Sequence, residues 1–187
     1  MAKAESGFFE IFRKAAENSL DKRFEIRKKA NLLYELFLDK ELKYSPIDPN
    51  NPKRGYSAFQ TDLCVFENIN GLLLPRVVIE FKTKVSSHDI ITYSGKAGKH
   101  KAIYPSLRYG ILASEIDKIP NRFFIHNEHI DFFIAALNYK DKNLSDFAGE
   151  LISKEITVSR KLDKINFEDQ KFDYYRSDII LDIFMKK

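Results

Sequence analysis

The stretch Arg76-Val77-Val78-Ile79-Glu80-Phe81-Lys82 constrains this chain more than any other. Three β-branched apolar residues followed by a phenylalanine read as a strand. The two-residue period of a strand sends Glu80 and Lys82 to one face and Ile79 and Phe81 to the other. A carboxylate and an ammonium then project side by side from a rigid element. On the wet face of an ordinary amphipathic strand such a pair is a surface ion pair of little energetic weight. Acid-any-lysine recurs at Glu41/Lys43 and Asp169/Lys171, as chance allows with 27 acidic and 31 basic residues in 187. Only Glu80/Lys82 follows an apolar β run. Only it has a second such run upstream, Asp62 to Glu67, across the turn signal Asn68-Ile69-Asn70-Gly71.

That hairpin decides whether Asp62 can join the pair. A two-residue turn at Asn70-Gly71 with an unbroken ladder sets Asp62 opposite Ile79, on the wrong face. A three-residue loop, Ile69-Asn70-Gly71, sets it opposite Val78 and diagonal to Glu80, within roughly 7–8 Å. The expectation is therefore that loop, or a bulge that has the same effect on facing. Pro75 has no N–H to give to a ladder, so a bulge belongs near it.

Asp62, then Glu80-Phe81-Lys82 ending a hydrophobic strand, then a polar helix and another strand, resembles the PD-(D/E)xK nuclease superfamily, which includes most type II restriction endonucleases. The resemblance covers about residues 20 to 135, and Thr61 stands where the family usually has proline. It implies an α/β fold, a mixed β-sheet flanked by α-helices in one domain; residues from about 140 to 187 are an extension that the resemblance does not cover. The chemistry fits the residue types. Attack on a polyanionic phosphodiester needs a divalent cation to offset charge and activate water. Asp62 and Glu80 supply hard oxygens suited to Mg²⁺, which keeps several waters of its own. Lys82 can orient or deprotonate the attacking water and offset transition-state charge. By resemblance, the Phe81 carbonyl is a further metal ligand and the products are a 5′-phosphate and a 3′-hydroxyl.

Gly7 to Asn18 reads as an amphipathic helix, and Leu20 to about Leu42 as a second. On a wheel stepping about 100° per residue, Glu25 falls between Leu32 and Leu36 inside the apolar arc. A carboxylate there needs a partner or a metal. The superfamily often draws an acid from its first helix into the site, and Glu25 is the candidate; pairing with Lys29 or reaching solvent is the alternative. Ser45 to Pro52 is a proline-rich loop. Lys53-Arg54 beyond it are phosphate contacts or solvated loop charges, and Lys84 just after the motif is a further DNA contact.

Ser86-Ser87-His88-Asp89 starts a helix that Pro105 stops. Within it, Lys96, Lys99, His100 and Lys101 with two glycines suit a backbone near phosphate, or else form a solvated basic face. Arg108 to Ala113 reads as a strand parallel to the first, since a helical crossover joins them. Phe123 to His126 reads as a strand, Ile130 to Tyr139 as a helix, Leu144 to Ser153 as a helix, Glu155 to Ser159 as extended, and Phe172 to Phe184 as an apolar helix.

At 44% hydrophobic and 13% aromatic, 187 residues suffice for one core. The lone Cys64 alternates within a strand and reads as a core residue; no disulfide can form within the chain and no zinc spacing occurs. No apolar run is of spanning length, and Met1-Ala2-Lys3-Ala4-Glu5-Ser6 lacks a signal-peptide core, so a cytoplasmic location and no membrane are expected. A net charge of +4 permits nucleic-acid binding without demanding it. The resulting expectation is a Mg²⁺-dependent, restriction-type endonuclease acting on double-stranded DNA. With little chain left for recognition, it works as a homodimer on a palindrome, or as a catalytic subunit cutting one strand beside a larger DNA-recognising subunit, as in heterodimeric type IIS enzymes. A Holliday-junction resolvase or repair nuclease, or an inactive DNA-binding or assembly module on the same fold, are the other readings.

Overall fold

The computed structural model describes residues 2–45, 51–55, 57–139, 141–169 and 171–181. In chain order the elements are α1 (Ala2–Ser19), β1 (Phe24–Lys28), β2 (Asn31–Leu33), β3 (Phe37–Leu38), β4 (Tyr44–Ser45), β5 (Ala58–Gln60), β6 (Leu63–Ile69), β7 (Leu72–Lys82), α2 (Ser87–Ile103), β8 (Arg108–Ala113), α3 (Asn121–His126), β9 (Phe132–Ala135) and α4 (Asp141–Phe167). Five strands form one mixed sheet in the order β1-β6-β7-β8-β9, and β2/β5 and β3/β4 make two short ribbons. β1, β6 and β7 run antiparallel; β7, β8 and β9 run parallel, joined through α2 and then α3.

The strands' two-residue period splits the core. Leu63, Val65, Val77, Ile79, Phe81 and Leu112 face Phe12 and Ala16 of α1 and Leu144, Ala148 and Ile152 of α4. Cys64, Val78, Tyr109 and Ile111 face Ile90 and Ala97 of α2 and Phe123 of α3. Ile79 is fully buried on the first side; cutting it back to alanine costs about 2–5 kcal/mol. Glu80 and Lys82, one residue out of step with Ile79, emerge on the α2 side.

The α/β class, the flanking helices and the helical crossover stand as the sequence suggests. Several local readings do not. The segment expected as a helix over 20–42 is β-structure: β1 pairs along β6, with Glu25 opposite Phe66, and Lys29 turns the chain in the left-handed region at φ 54°. Pairing with a buried strand outweighs a coincidental helical period. Phe123–His126 lies in α3, not a strand. Ile130–Tyr139 holds β9, whose uninterrupted Phe132-Phe133-Ile134-Ala135 is the pattern of a parallel strand rather than of a helix. Glu155–Ser159 continues α4, in which Leu144, Ala148, Ile152, Ile156 and Ser159 are buried at helical spacing. Residues 171–181 take no regular structure, so the helix expected from Phe172 is not there, and 182–184 lie outside the described residues.

Candidate active site

The turn itself is two residues long, not three. Ile69 pairs with Leu72, and Asn70 and Gly71 both have positive φ, 54° and 87°, the geometry of a tight hairpin turn. Facing is corrected farther up. Phe66 pairs with Pro75 while Val65 pairs with Val77, so Arg76 is an extra residue on β7. Pro75 cannot donate to the ladder, which makes this the weak point where a bulge is tolerated. Beyond it Leu63 pairs with Ile79, and Asp62, one residue earlier, falls on the same side as Glu80.

The bulged residue is strapped down. Arg76 is 2% exposed; its Nε donates to Glu67 Oε2 at 2.7 Å and its Nη1 to Ser159 Oγ at 3.3 Å and to Asp163 of α4. Arg160 Nη2 completes the cluster on Glu67 Oε1 at 2.5 Å. Burial alone raises the Glu67 pKa, but Arg160 and Arg76 outweigh it and leave it below the usual value.

Asp62 Oδ2 accepts the backbone N–H of Phe81 at 2.9 Å. Lys82, the next residue, gives its carbonyl to Ser114 on the β8 side. In-plane groups alternate along a strand, so the Phe81 carbonyl points toward β6, beyond the end of that strand, on the Asp62 side. Glu80 is 2% exposed, and its Oε1 accepts from Lys96 Nζ at 2.6 Å and from the Tyr109 hydroxyl at 2.5 Å. Burial raises the Glu80 pKa, Asp62 adds to the rise, and Lys96 and Tyr109 oppose it. Lys96 Nζ also donates to the Gln60 carbonyl at 2.5 Å. Lys82 Nζ lies 4.8 Å from the centre of the Tyr93 ring. Burial lowers its pKa, but the Tyr93 hydroxyl, Asp89 and Asp62 more than reverse this, so the ammonium stays charged at neutral pH.

Helix α2 supplies the second layer of the site. Ser86 caps it, with Asp89 reciprocating in a capping box. From this fixed start, buried Ile90, Ser94 and Ala97 seat the helix on the sheet, and Tyr93 and Lys96, three residues apart, reach Lys82 and Glu80. Gly98 lets the His129 ring approach α2 closely: a Cβ there would lie 2.5 Å from it, so the ring would have to shift.

The remaining sequence candidates fall elsewhere. Glu25 sits on β1 opposite Phe66, four residues along β6 from Asp62, roughly 13 Å at strand rise. It pairs with Arg27 at 2.6 Å, half exposed. It is not part of this site. His100 is fully buried; its Nδ1 lies 2.7 Å from the Leu33 carbonyl, which can only accept, so Nδ1 carries the proton. Burial drives its pKa down to about 4, which removes it as a phosphate contact. Lys101 is committed to Asp131 and the His129 carbonyl, both at 2.7 Å, and burial lowers its pKa. Lys96 belongs to Glu80 rather than to a solvent-facing surface. Lys53, Arg54, Lys84 and Lys99 are exposed.

Tyr93, Tyr109 and the Gln60 carbonyl are the groups the sequence did not single out. Tyr109 follows Arg108 in a buried strand and reads as core; only its pairing opposite Val78, beside Glu80, reveals it.

Among the described residues no group of three or more His, Cys, Asp or Glu side chains could hold a metal. An ion here would rest on two carboxylates and the Phe81 carbonyl with water completing the shell, a set that fits Mg²⁺ and not zinc. Asp62 Oδ1 and Glu80 Oε2 accept no hydrogen bond among the described residues, so one oxygen of each carboxylate remains for a ligand. A concavity lined by Arg27, Asn31, Phe66, Pro75 and Tyr104 leaves the acid pair out; the pair sits where β6 begins and β7, the central strand, ends. Among the described residues no helix is long and apolar enough to cross a membrane. No family model matches the chain, and no curated protein matches its sequence.

Proposed function

We propose that this chain is a Mg²⁺-dependent endonuclease that hydrolyses phosphodiester bonds of double-stranded DNA, restriction-type, in the cytoplasm. The observation that carries this reading is the convergence of Asp62, Glu80 and Lys82 on one face at the open end of β6. Asp62 Oδ1, Glu80 Oε2 and the Phe81 carbonyl would hold the ion. When bound it supplies charge neutralisation and an acidified water. Lys82, beside the Tyr93 ring, would orient water and offset the negative charge that builds on the phosphoryl oxygens. Tyr109 and Lys96 fix the rotamer of Glu80. Lys53, Arg54, Lys84 and Lys99 are exposed and would meet the phosphate backbone, which sets affinity rather than sequence preference.

A partner belongs to this reading. Phe172, Tyr174, Tyr175, Ile179, Ile180 and Leu181 are all more than half exposed, an apolar segment of the kind that a second copy or a larger DNA-recognising subunit would cover. The test is supercoiled plasmid with Mg²⁺, with and without extract of the host. Wild type is expected to give nicked or linear DNA. A Lys82→Ala variant that nicks as well as wild type overturns the assignment, and preferential cutting of branched DNA moves the function to junction resolution.

A further inference from the structure

The Lys96 ammonium is 16% exposed and lies 2.6 Å from a carboxylate that is 2% exposed. It also donates at 2.5 Å to the carbonyl of Gln60. One anionic oxygen and one neutral backbone oxygen are the donor types by which a hard divalent cation is held. Two carboxylates close together on one face repel each other, and an ion placed between them must overcome any fixed positive charge already present. The ammonium does both jobs: it offsets the acid pair, and it occupies one oxygen of Glu80 while leaving the other.

From this geometry we infer that Lys96 is a positioning residue acting as an internal counter-cation, which stabilises the Asp62–Glu80 pair and limits how strongly the site draws a divalent ion. The inference rests on the nuclease reading for its metal, but its test reads stability rather than cleavage. Removing the charge leaves the buried Glu80 carboxylate, beside half-buried Asp62, without its ammonium partner. The protein then depends on Mg²⁺ to replace it.

The experiment is thermal unfolding of wild type, Lys96→Met, Lys96→Arg and Asp62→Asn, each with and without saturating Mg²⁺. Without the ion, Lys96→Met unfolds about 5–10 °C lower than wild type. Mg²⁺ then raises its Tm by at least twice the wild-type increment. Lys96→Arg restores the wild-type increment, and Asp62→Asn abolishes it. A double variant, Glu80→Gln with Lys96→Met, removes both charges; it recovers most of the lost Tm and shows no enlarged response. Should Lys96→Met not fold, Lys96→Gln and the double variant carry the same comparison.

An increment in Lys96→Met equal to or smaller than that of wild type overturns the inference, as does a double variant no more stable than the single. If wild type nicks plasmid and responds to Mg²⁺ while Lys96→Met shows no enlarged response, only this inference falls. If wild type nicks plasmid neither alone nor with host extract and does not respond to Mg²⁺, the nuclease reading falls and takes the inference with it.

Discussion

Arg76 reaches Glu67, nine residues back along the hairpin, with Nε and Oε2 2.7 Å apart and both side chains almost wholly out of solvent. The contact spans the bulge, so the residue that sets the facing of Asp62 is also the one tied to α4. Breaking a buried ion pair by removing one partner costs about 3–5 kcal/mol. Arg76→Ala is therefore expected to lose stability on that scale in urea unfolding at neutral pH, and to lose nicking activity at temperatures where it remains folded. The sign with pH follows from Glu67. Its pKa is lowered from 4.5, so its contribution is complete above that value and is lost as pH falls through the folded-state pKa. Glu67→Gln should flatten this acid limb.

His100 gives a second acid-side effect of independent origin. Its pKa drops from 6.5 to about 4, so the folded state refuses a proton that the unfolded chain accepts. Stability is whole above pH 6.5 and declines as pH falls toward 4, by at most about 3 kcal/mol at 1.36 kcal/mol per unit. NMR titration of the imidazole should find it neutral at pH 5.5. A His100 that titrates near 6.5 would contradict the buried, neutral ring.

Lys82→Ala and Asp62→Asn should each reduce Mg²⁺-dependent nicking by about 10²–10⁴-fold. Both side chains are only half-buried, so unfolding midpoints should move little. Glu25→Gln, by contrast, should cleave within about twofold of wild type, since its carboxylate pairs with Arg27 away from the site.

Two neighbouring lysines of α2 should separate cleanly. Lys99 is exposed, with Nζ 5.2 Å from the Tyr34 ring centre, and Lys99→Ala should weaken DNA binding and reduce the salt slope by about one with stability intact. Lys101 is tied to Asp131, and Lys101→Ala should instead destabilise by about 1–3 kcal/mol. Salt-titrated binding together with urea unfolding distinguishes the two.

The hairpin and the Pro75 bulge were legible because period-two facing and the missing proline N–H are strictly local rules. The cap of α2 was legible for the same reason: Ser86 and Asp89 satisfy each other within four residues. The segment from Leu20 to Leu42 misled because apolar residues spaced for one helical face also serve short strands, and only the partner strand β6 decides. The basic run of α2 misled differently. Charge gives no direction, and Lys96, Lys99, His100 and Lys101 point four ways: to Glu80, to Tyr34, to the Leu33 carbonyl and to Asp131. The stripe Ile90, Ser94, Ala97, His100 at helical spacing was the available sign that His100 lies inward.

A single inserted residue at Arg76 turns Asp62 toward Glu80. Removing the extra residue at Arg76 while the pairing on either side is kept is expected to turn Asp62 to the face opposite Glu80. A change of length in the Asn70-Gly71 turn can instead be absorbed by the loop, so the bulge, rather than the turn, is where one residue more or less matters.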